Sequence, residues 1–172
     1  MIITIGGAIG SGKTTVASAI AKNFDFTHVS AGRIFREMAK EKGLNLEEFS
    51  KIAEDDDSFD LEVDERQKAL VKKGNAVVDG RLSGRFIDGD IKIWLTAPFE
   101  NRVERVANRE GKDIGAAREE MKRREKSEVT RYKKLYNIDM FDLSEYDVVL
   151  NTGLWRAEGV IKIIQRLIEV KE

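Results

Sequence analysis

At 172 residues, 41% of them apolar, the chain is long enough to bury a core without disulfide or metal staples and too short for separate catalytic and regulatory domains. Thirty Lys and Arg against thirty-one Asp and Glu leave a formal charge of −1, so no whole-molecule field draws in nucleic acid or membrane, and any polyanion must meet a local basic cluster. The absence of cysteine excludes thiolate chemistry and Zn–thiolate sites, and with neither a signal-like start nor a bilayer-length apolar run the expectation is a soluble, cytoplasmic monomer acting on small molecules.

The β-branched run Ile2 to Ile5 meets glycines, and Val16, Ala17, Ile20 and Ala21 then recur at helical spacing across residues 14–23, which predicts strand, loop, helix. A second strand is expected from Phe26 to Val29, with Ser30 capping a helix that carries Ile34, Phe35, Met38 and Ala39 and stops at Gly43. Leu46 to Ala53 and Phe59 to Lys72 predict two helices around the acidic turn EDDD. Buried strands follow at Ala76 to Asp79 and Ile91 to Thr96, helices at Glu100 to Arg109 and Ile114 to Tyr136, a strand at Asp147 to Leu150, and a last helix at Glu158 to Val170. This alternation predicts an α/β fold with a central, mostly parallel five-stranded sheet flanked by helices, and a ligand site beyond the carboxyl ends of its strands.

Gly7-Ala8-Ile9-Gly10-Ser11-Gly12-Lys13-Thr14 satisfies G-x-x-x-x-G-K-[ST] between a predicted strand and a predicted helix, the context that gives the motif its meaning. The glycines let main-chain N–H groups turn inward around phosphate oxygens, and the helix N-terminus adds a favourable dipole. Lys13 then reaches the β- and γ-phosphates, the Thr14 hydroxyl joins a Mg²⁺ shell, and the loop with Thr15 becomes the candidate ATP site.

Where the phosphoryl group goes depends on less specific features. Asp79 ends an apolar strand and, if that strand neighbours the first, supports the metal; otherwise it caps the turn at Gly80. Arg36, in SAGRIFR, either lies along an apolar helix face and projects its fork into a cleft or is a solvated helix arginine. Arg102, Arg105 and Arg109 share one helical face, and Arg124, Glu128 and Arg131 share another, although EEMKRREKSE also fits a salt-bridged, solvated helix.

GGAIGSGKTT, SAGRIFR, VVDGR, WLTAPFENRVERVANRE and RREKSEVTRY together resemble the nucleoside monophosphate kinases, and among them the short cytidylate kinases of archaeal type, over residues 2–168. The resemblance implies a P-loop kinase fold in a single domain, 1–172, with a helical NMP-binding region at 30–74 and a short lid at 109–134. It implies transfer of the γ-phosphoryl of Mg·ATP to CMP or dCMP, with AMP, UMP or a small-metabolite hydroxyl as alternative acceptors. Carried over by position, it makes Arg36, Arg81, Arg124 and Arg131 phosphate clamps, Lys13, Arg124 and Arg131 the catalytic cations, Thr14 and Asp79 the Mg²⁺ ligands, and Arg105 a stacking partner of the ATP base. Leu82 departs from the bacterial G-R-D pattern, so an aspartate contact to the acceptor does not transfer. Asp60, Asp64 and Arg66 are the polar candidates near the acceptor, and His28, Trp94, Trp155, Tyr132 and Tyr136 are expected to be structural. A GTPase-type switch would need N-K-x-D and D-x-x-G motifs, and the chain has Asp79-Gly80-Arg81-Leu82 after the third strand instead.

Overall fold

The structure, a computed structural model, describes residues 1–72 and 74–171, so Lys73 within the expected NMP-binding region and Glu172 lie outside the described residues. The strands are β1 (Ile2–Gly7), β2 (Thr27–Ser30), β3 (Ala76–Asp79), β4 (Ile91–Thr96) and β5 (Val148–Asn151). Among the described residues they form one five-stranded sheet in the order β2-β3-β1-β4-β5, parallel at every pairing. The helices are α1 (Lys13–Phe24), α2 (Ala31–Glu41), α3 (Leu46–Asp55), α4 (Ser58–Val71), α5 (Ser83–Phe86), α6 (Phe99–Glu110), α7 (Ile114–Tyr136) and α8 (Ala157–Lys171). Among the described residues no helix is long and apolar enough to cross a membrane.

β1 lies at the centre because helices cover both faces of the sheet, and β3 is apolar at every position before Asp79 for the same reason. One core joins Ile3, Ile5 and Ile93 to Val16 and Ile20 of α1 and Ile164 and Ile168 of α8. A second joins Val29 and Val78 to α2, α3 and α4 through Met38, Phe49 and Val63, with Phe35, Phe49 and Phe59 stacked at centroid distances of 4.7 and 4.9 Å. A third, small core packs Ile9 of the glycine loop against Val103, Val106, Ala117 and Met121, which fastens α6 and α7 to that loop.

Two adjacent strands connected on opposite sides of the sheet create the crevice. β1 pairs with both β3 and β4, and its register sets Ile5 opposite Asp79 and Gly7 opposite Leu95. Ser30 caps α2 by accepting from Arg33 N, and Asn45 and Glu48 form a reciprocal capping box at α3.

The elements fall within two residues of where the periodicity places them, apart from one added turn. β1 runs on to Gly7, because glycine lacks the side-chain pattern by which a strand is recognised. β2 and β5 end one residue later than expected, at Ser30 and Asn151. The single turn α5 is additional; four residues are too few to display a helical period.

Candidate active site

The loop between β1 and α1 is built so that only glycine serves at two of its bends. At Gly7, φ is 145° and an added Cβ would lie 2.3 Å from the Leu95 carbonyl oxygen; at Gly10, φ is 75° and a Cβ would lie 2.6 Å from the Arg102 carbonyl oxygen. The chain therefore threads between β4 and α6 and delivers Gly12 as the N-cap of α1, which has no side-chain cap, so the first N–H groups of the helix remain for an anion. Lys13 is 7% exposed and donates from Nζ to the Ala8 carbonyl oxygen at 2.7 Å, folding its ammonium back over the loop. Burial, together with repulsion from Arg81, holds its pKa well below the ordinary lysine value, against the opposing pull of Asp79 and Glu128. A phosphate at this point would relieve both penalties.

Asp79 is 2% exposed at the end of β3. Thr14 donates from Oγ1 to its Oδ2 at 2.9 Å, and His28 Nε2 meets its Oδ1 at 2.6 Å. Burial pushes the carboxyl up, but the hydrogen bonds from His28 and Thr14 and the charge of Lys13 outweigh it and hold Asp79 below the usual carboxylate range. An ionised carboxylate accepts only, so the imidazole Nε2 carries the hydrogen. His28 is thus the partner that fixes the aspartate, a role invisible without the strand order that sets Ser30 opposite Asp79 and places His28 on the same face of β2. One hydroxyl and one ionised carboxylate are hard oxygen donors of the kind that suit Mg²⁺.

The arginines separate into three groups. Arg102, expected on an anion-binding face with Arg105 and Arg109, is instead buried and spends its donors on the Ala97 and Ile9 carbonyl oxygens at 3.1 and 3.0 Å and on Glu125. It braces the glycine loop. Arg105 donates to Thr152 Oγ1 and O at 2.9 and 2.7 Å and to the Gly10 carbonyl oxygen at 3.3 Å. With its edge tied down, it lines a cavity of about 240 Å³ together with Gly12, Thr15, Thr152, Trp155 and Val160. Trp155, expected to be structural, is 54% exposed on the rim of this cavity, while Trp94 is buried against Tyr146 as expected of a sheet residue.

Arg81 and Arg131 are paired with carboxylates. Arg81 donates from Nε to Glu128 Oε2 at 2.7 Å, and Arg131 holds Asp60 through Nε and Nη2 at 2.9 and 3.4 Å. The segment that also fits a solvated helix therefore turns Glu125 and Glu128 inward as counter-ions. Arg36 and Arg124 are differently placed. Arg36 has no hydrogen-bond or ion-pair partner among the described residues, and partial burial, repulsion from Arg109 and repulsion from Arg124 lower its pKa. Arg124 stands 3.5 Å from Glu120, and the same nitrogen is buried without a hydrogen bond. Helices α2, α6 and α7 thus bring together Arg36, Arg109 and Arg124; Arg109 pairs with Glu110 and Arg124 with Glu120, which leaves Arg36 without an anion among the described residues.

A second cleft, of about 40 Å³, is lined by Ala31, Asp60, Asp64, Gln67, Arg81 and Tyr136, among others. Tyr132 and Tyr136 wall it, so they do more than pack a hinge, and Tyr136 donates to Asp64 Oδ2 at 2.6 Å. Arg66, the third polar candidate on this helix, faces away and bonds Glu41 and Glu62 at the surface. Arg85 ties α5 to Asp142 and Glu145 and takes no part in the cleft.

A phosphate-binding loop after the central strand of a parallel sheet of this order is the arrangement of a P-loop kinase, a phosphotransferase. The chain belongs to the cytidylate kinase-like family, whose model matches residues 2–154. It is 49% identical to the cytidylate kinase of Methanocaldococcus jannaschii over 174 residues, covering 98% of each chain. It is 46% identical to that of Methanopyrus kandleri over 180 residues, covering 98% of this chain and 93% of the other. Among solved structures it resembles an uncharacterized protein from Eubacterium ventriosum, with a TM-score of 0.72 and 23% identity, covering 98% of each chain. A shikimate kinase from Acinetobacter baumannii, at TM-score 0.63 and 14% identity, covering 99% of this chain and 94% of that one, shares the fold.

Proposed function

We propose that the protein transfers the γ-phosphoryl group of Mg·ATP to CMP or dCMP, giving ADP and the nucleoside diphosphate. The observation that carries this reading is the buried, electrostatically penalised Lys13, which directly follows Gly12 of the cavity at Arg105 and feels the charge of Arg81 in the second cleft. The names of the relatives supply the acceptor class.

In this mechanism the ATP base lies against the Arg105 guanidinium with Trp155 at the rim, and its phosphates take the N–H groups of residues 8–14. Thr14 and Asp79 would hold Mg²⁺, which would neutralise charge on the ATP phosphates. A phosphate oxygen of the acceptor attacks the γ-phosphorus, and the bond to the oxygen bridging the β- and γ-phosphates breaks. Because the transition state is loose, the work of this chain is positioning and charge: Lys13 on the transferring group, and Arg36, Arg81 and Arg124 on the acceptor and the equatorial oxygens. Arg131, held by Asp60, positions α7 against α4 in the closed cleft, which excludes water and suppresses ATP hydrolysis.

Steady-state assays of ADP formation with CMP, dCMP, UMP and AMP test the proposal. Preference for the cytidine acceptors is expected, and preference for AMP would refute it.

A further inference from the structure

The acceptor cleft contains a buried polar pair that phosphate binding does not explain. Asp64 and Gln67 lie one turn apart on α4, 8% and 2% exposed. Asp64 has no ion-pair partner among the described residues; its hydrogen bonds come from Tyr136 to Oδ2 at 2.6 Å and from Gln67 Nε2 to Oδ1 at a long 3.3 Å. Burial pushes its carboxyl up to about 6. A desolvated carboxylate without a cation costs folding stability and is the kind of group retained for a ligand.

The orientation of Gln67 follows from its neighbours. Ser83 Oγ donates to Oε1 at 3.2 Å, and Nε2 donates to Asp64 Oδ1 and to the Val63 carbonyl oxygen at a long 3.3 and 3.4 Å, so the amino group lies on the Asp64 side and its weak bond to Val63 is the one a base would replace. Side by side, the pair presents one acceptor and one donor. Cytosine presents the complement, an exocyclic amino donor next to a ring-nitrogen acceptor, whereas uracil carries a carbonyl oxygen and an N–H at these two positions. Uracil would then set two acceptors against each other and two donors against each other. Tyr132, Tyr136 and Phe86 supply the flat walls, with Phe86 and Tyr136 at a centroid distance of 4.4 Å.

We infer that Asp64 and Gln67 select the base of the acceptor nucleotide, Asp64 accepting from the cytosine 4-amino group and Gln67 donating to the adjoining ring nitrogen. The inference rests on the cytidine-kinase reading above. The pair explains rejection of uracil and leaves purine exclusion to the size of the cleft. Tyr136 already occupies Oδ2 of Asp64 and walls the cleft, so a base enters when α7 has withdrawn and Tyr136 has left Asp64. On closure Tyr136 takes Oδ2 again while the base keeps Oδ1, and the lid engages only around a base that satisfies the carboxylate. Leu82 needs no carboxylate in this arrangement, because α4 supplies it.

The test compares kcat/KM for CMP and UMP in the unmodified protein, Asp64→Asn and Gln67→Leu, with the KM for ATP measured alongside. The amide of Asp64→Asn has the same shape and can turn its amino group to a uracil carbonyl, so the CMP:UMP ratio is expected to fall on the order of 10- to 100-fold. Gln67→Leu is expected to weaken CMP without improving UMP, and the KM for ATP to stay unchanged in both. The acceptor lacking only the 4-amino group, the pyrimidin-2-one nucleoside monophosphate, probes the same contact in the unmodified protein and needs no variant to fold; a similar loss is expected there, and Asp64→Asn should abolish the difference from CMP. Equal losses on CMP and UMP in Asp64→Asn, or full activity with the pyrimidin-2-one acceptor, would overturn the assignment while leaving the cytidine-kinase reading intact. An unmodified protein without preference for CMP over UMP would overturn both.

Discussion

Arg36→Ala and Arg131→Ala remove the same charge from two helices facing one cleft, and the structure separates their consequences. Arg36 makes no hydrogen bond or ion pair among the described residues and is repelled by Arg109 and Arg124, so its loss relieves repulsion. Arg131 holds Asp60 through two nitrogens, and both partners are buried, at 8% and 7% exposure. Removing Arg131 strands a buried carboxylate that burial already pushes upward in pKa, a situation that costs about 3–5 kcal/mol of stability. Arg36→Ala should leave the melting temperature unchanged or slightly higher and forfeit instead a charge-assisted contact to the acceptor phosphate of about 1.5–3 kcal/mol. That corresponds to a KM for CMP raised roughly 10- to 100-fold with the KM for ATP unaltered. Thermal unfolding followed by steady-state kinetics at saturating ATP measures both. An Arg36 variant that is destabilised while its acceptor kinetics stay native would refute the reasoning, because it would show that this guanidinium is structural.

Lys13→Ala should lower kcat by on the order of 10³-fold while the folded state keeps or gains stability, since the buried ammonium carries a desolvation penalty; kinetics paired with denaturant unfolding measure this. His28→Ala releases one oxygen of Asp79 and should raise the Mg²⁺ concentration for half-maximal activity by about 10- to 100-fold, read from a Mg²⁺ titration at fixed ATP. Asp64→Asn should stabilise the protein near neutral pH. The folded carboxyl titrates at about 6 against an ordinary 3.8, so the native state binds the extra proton between those values and stability falls as pH rises through that window. The variant's advantage should be absent below about pH 4 and reach about 3 kcal/mol above pH 6, by unfolding at a series of pH values. An advantage that grew toward acid would contradict the burial argument.

Much of this site was legible in the sequence because a phosphate loop is a local device: its glycines, lysine and threonine are consecutive, and backbone geometry alone gives them their purpose. The strand runs and helix periods were legible for the same reason. What escaped depends on which distant residues meet. His28 looks like any strand histidine until β2 is seen beside β3. Arg102, at helical spacing from Arg105 and Arg109, gives no sign that the glycine loop offers it carbonyl oxygens to bond. Glu128 differs from its charged neighbours only in facing Arg81 across 47 residues. Asp64 stands out from the acidic stretch around it only by burial, a property of how α4 packs under α7.

The account stands most directly on acceptor choice. With ATP saturating, initial rates of ADP formation over a concentration series of CMP, dCMP, UMP and AMP should give the highest kcat/KM for CMP or dCMP and negligible turnover without an acceptor. Preference for AMP, or nucleotide hydrolysis indifferent to any acceptor, would contradict it.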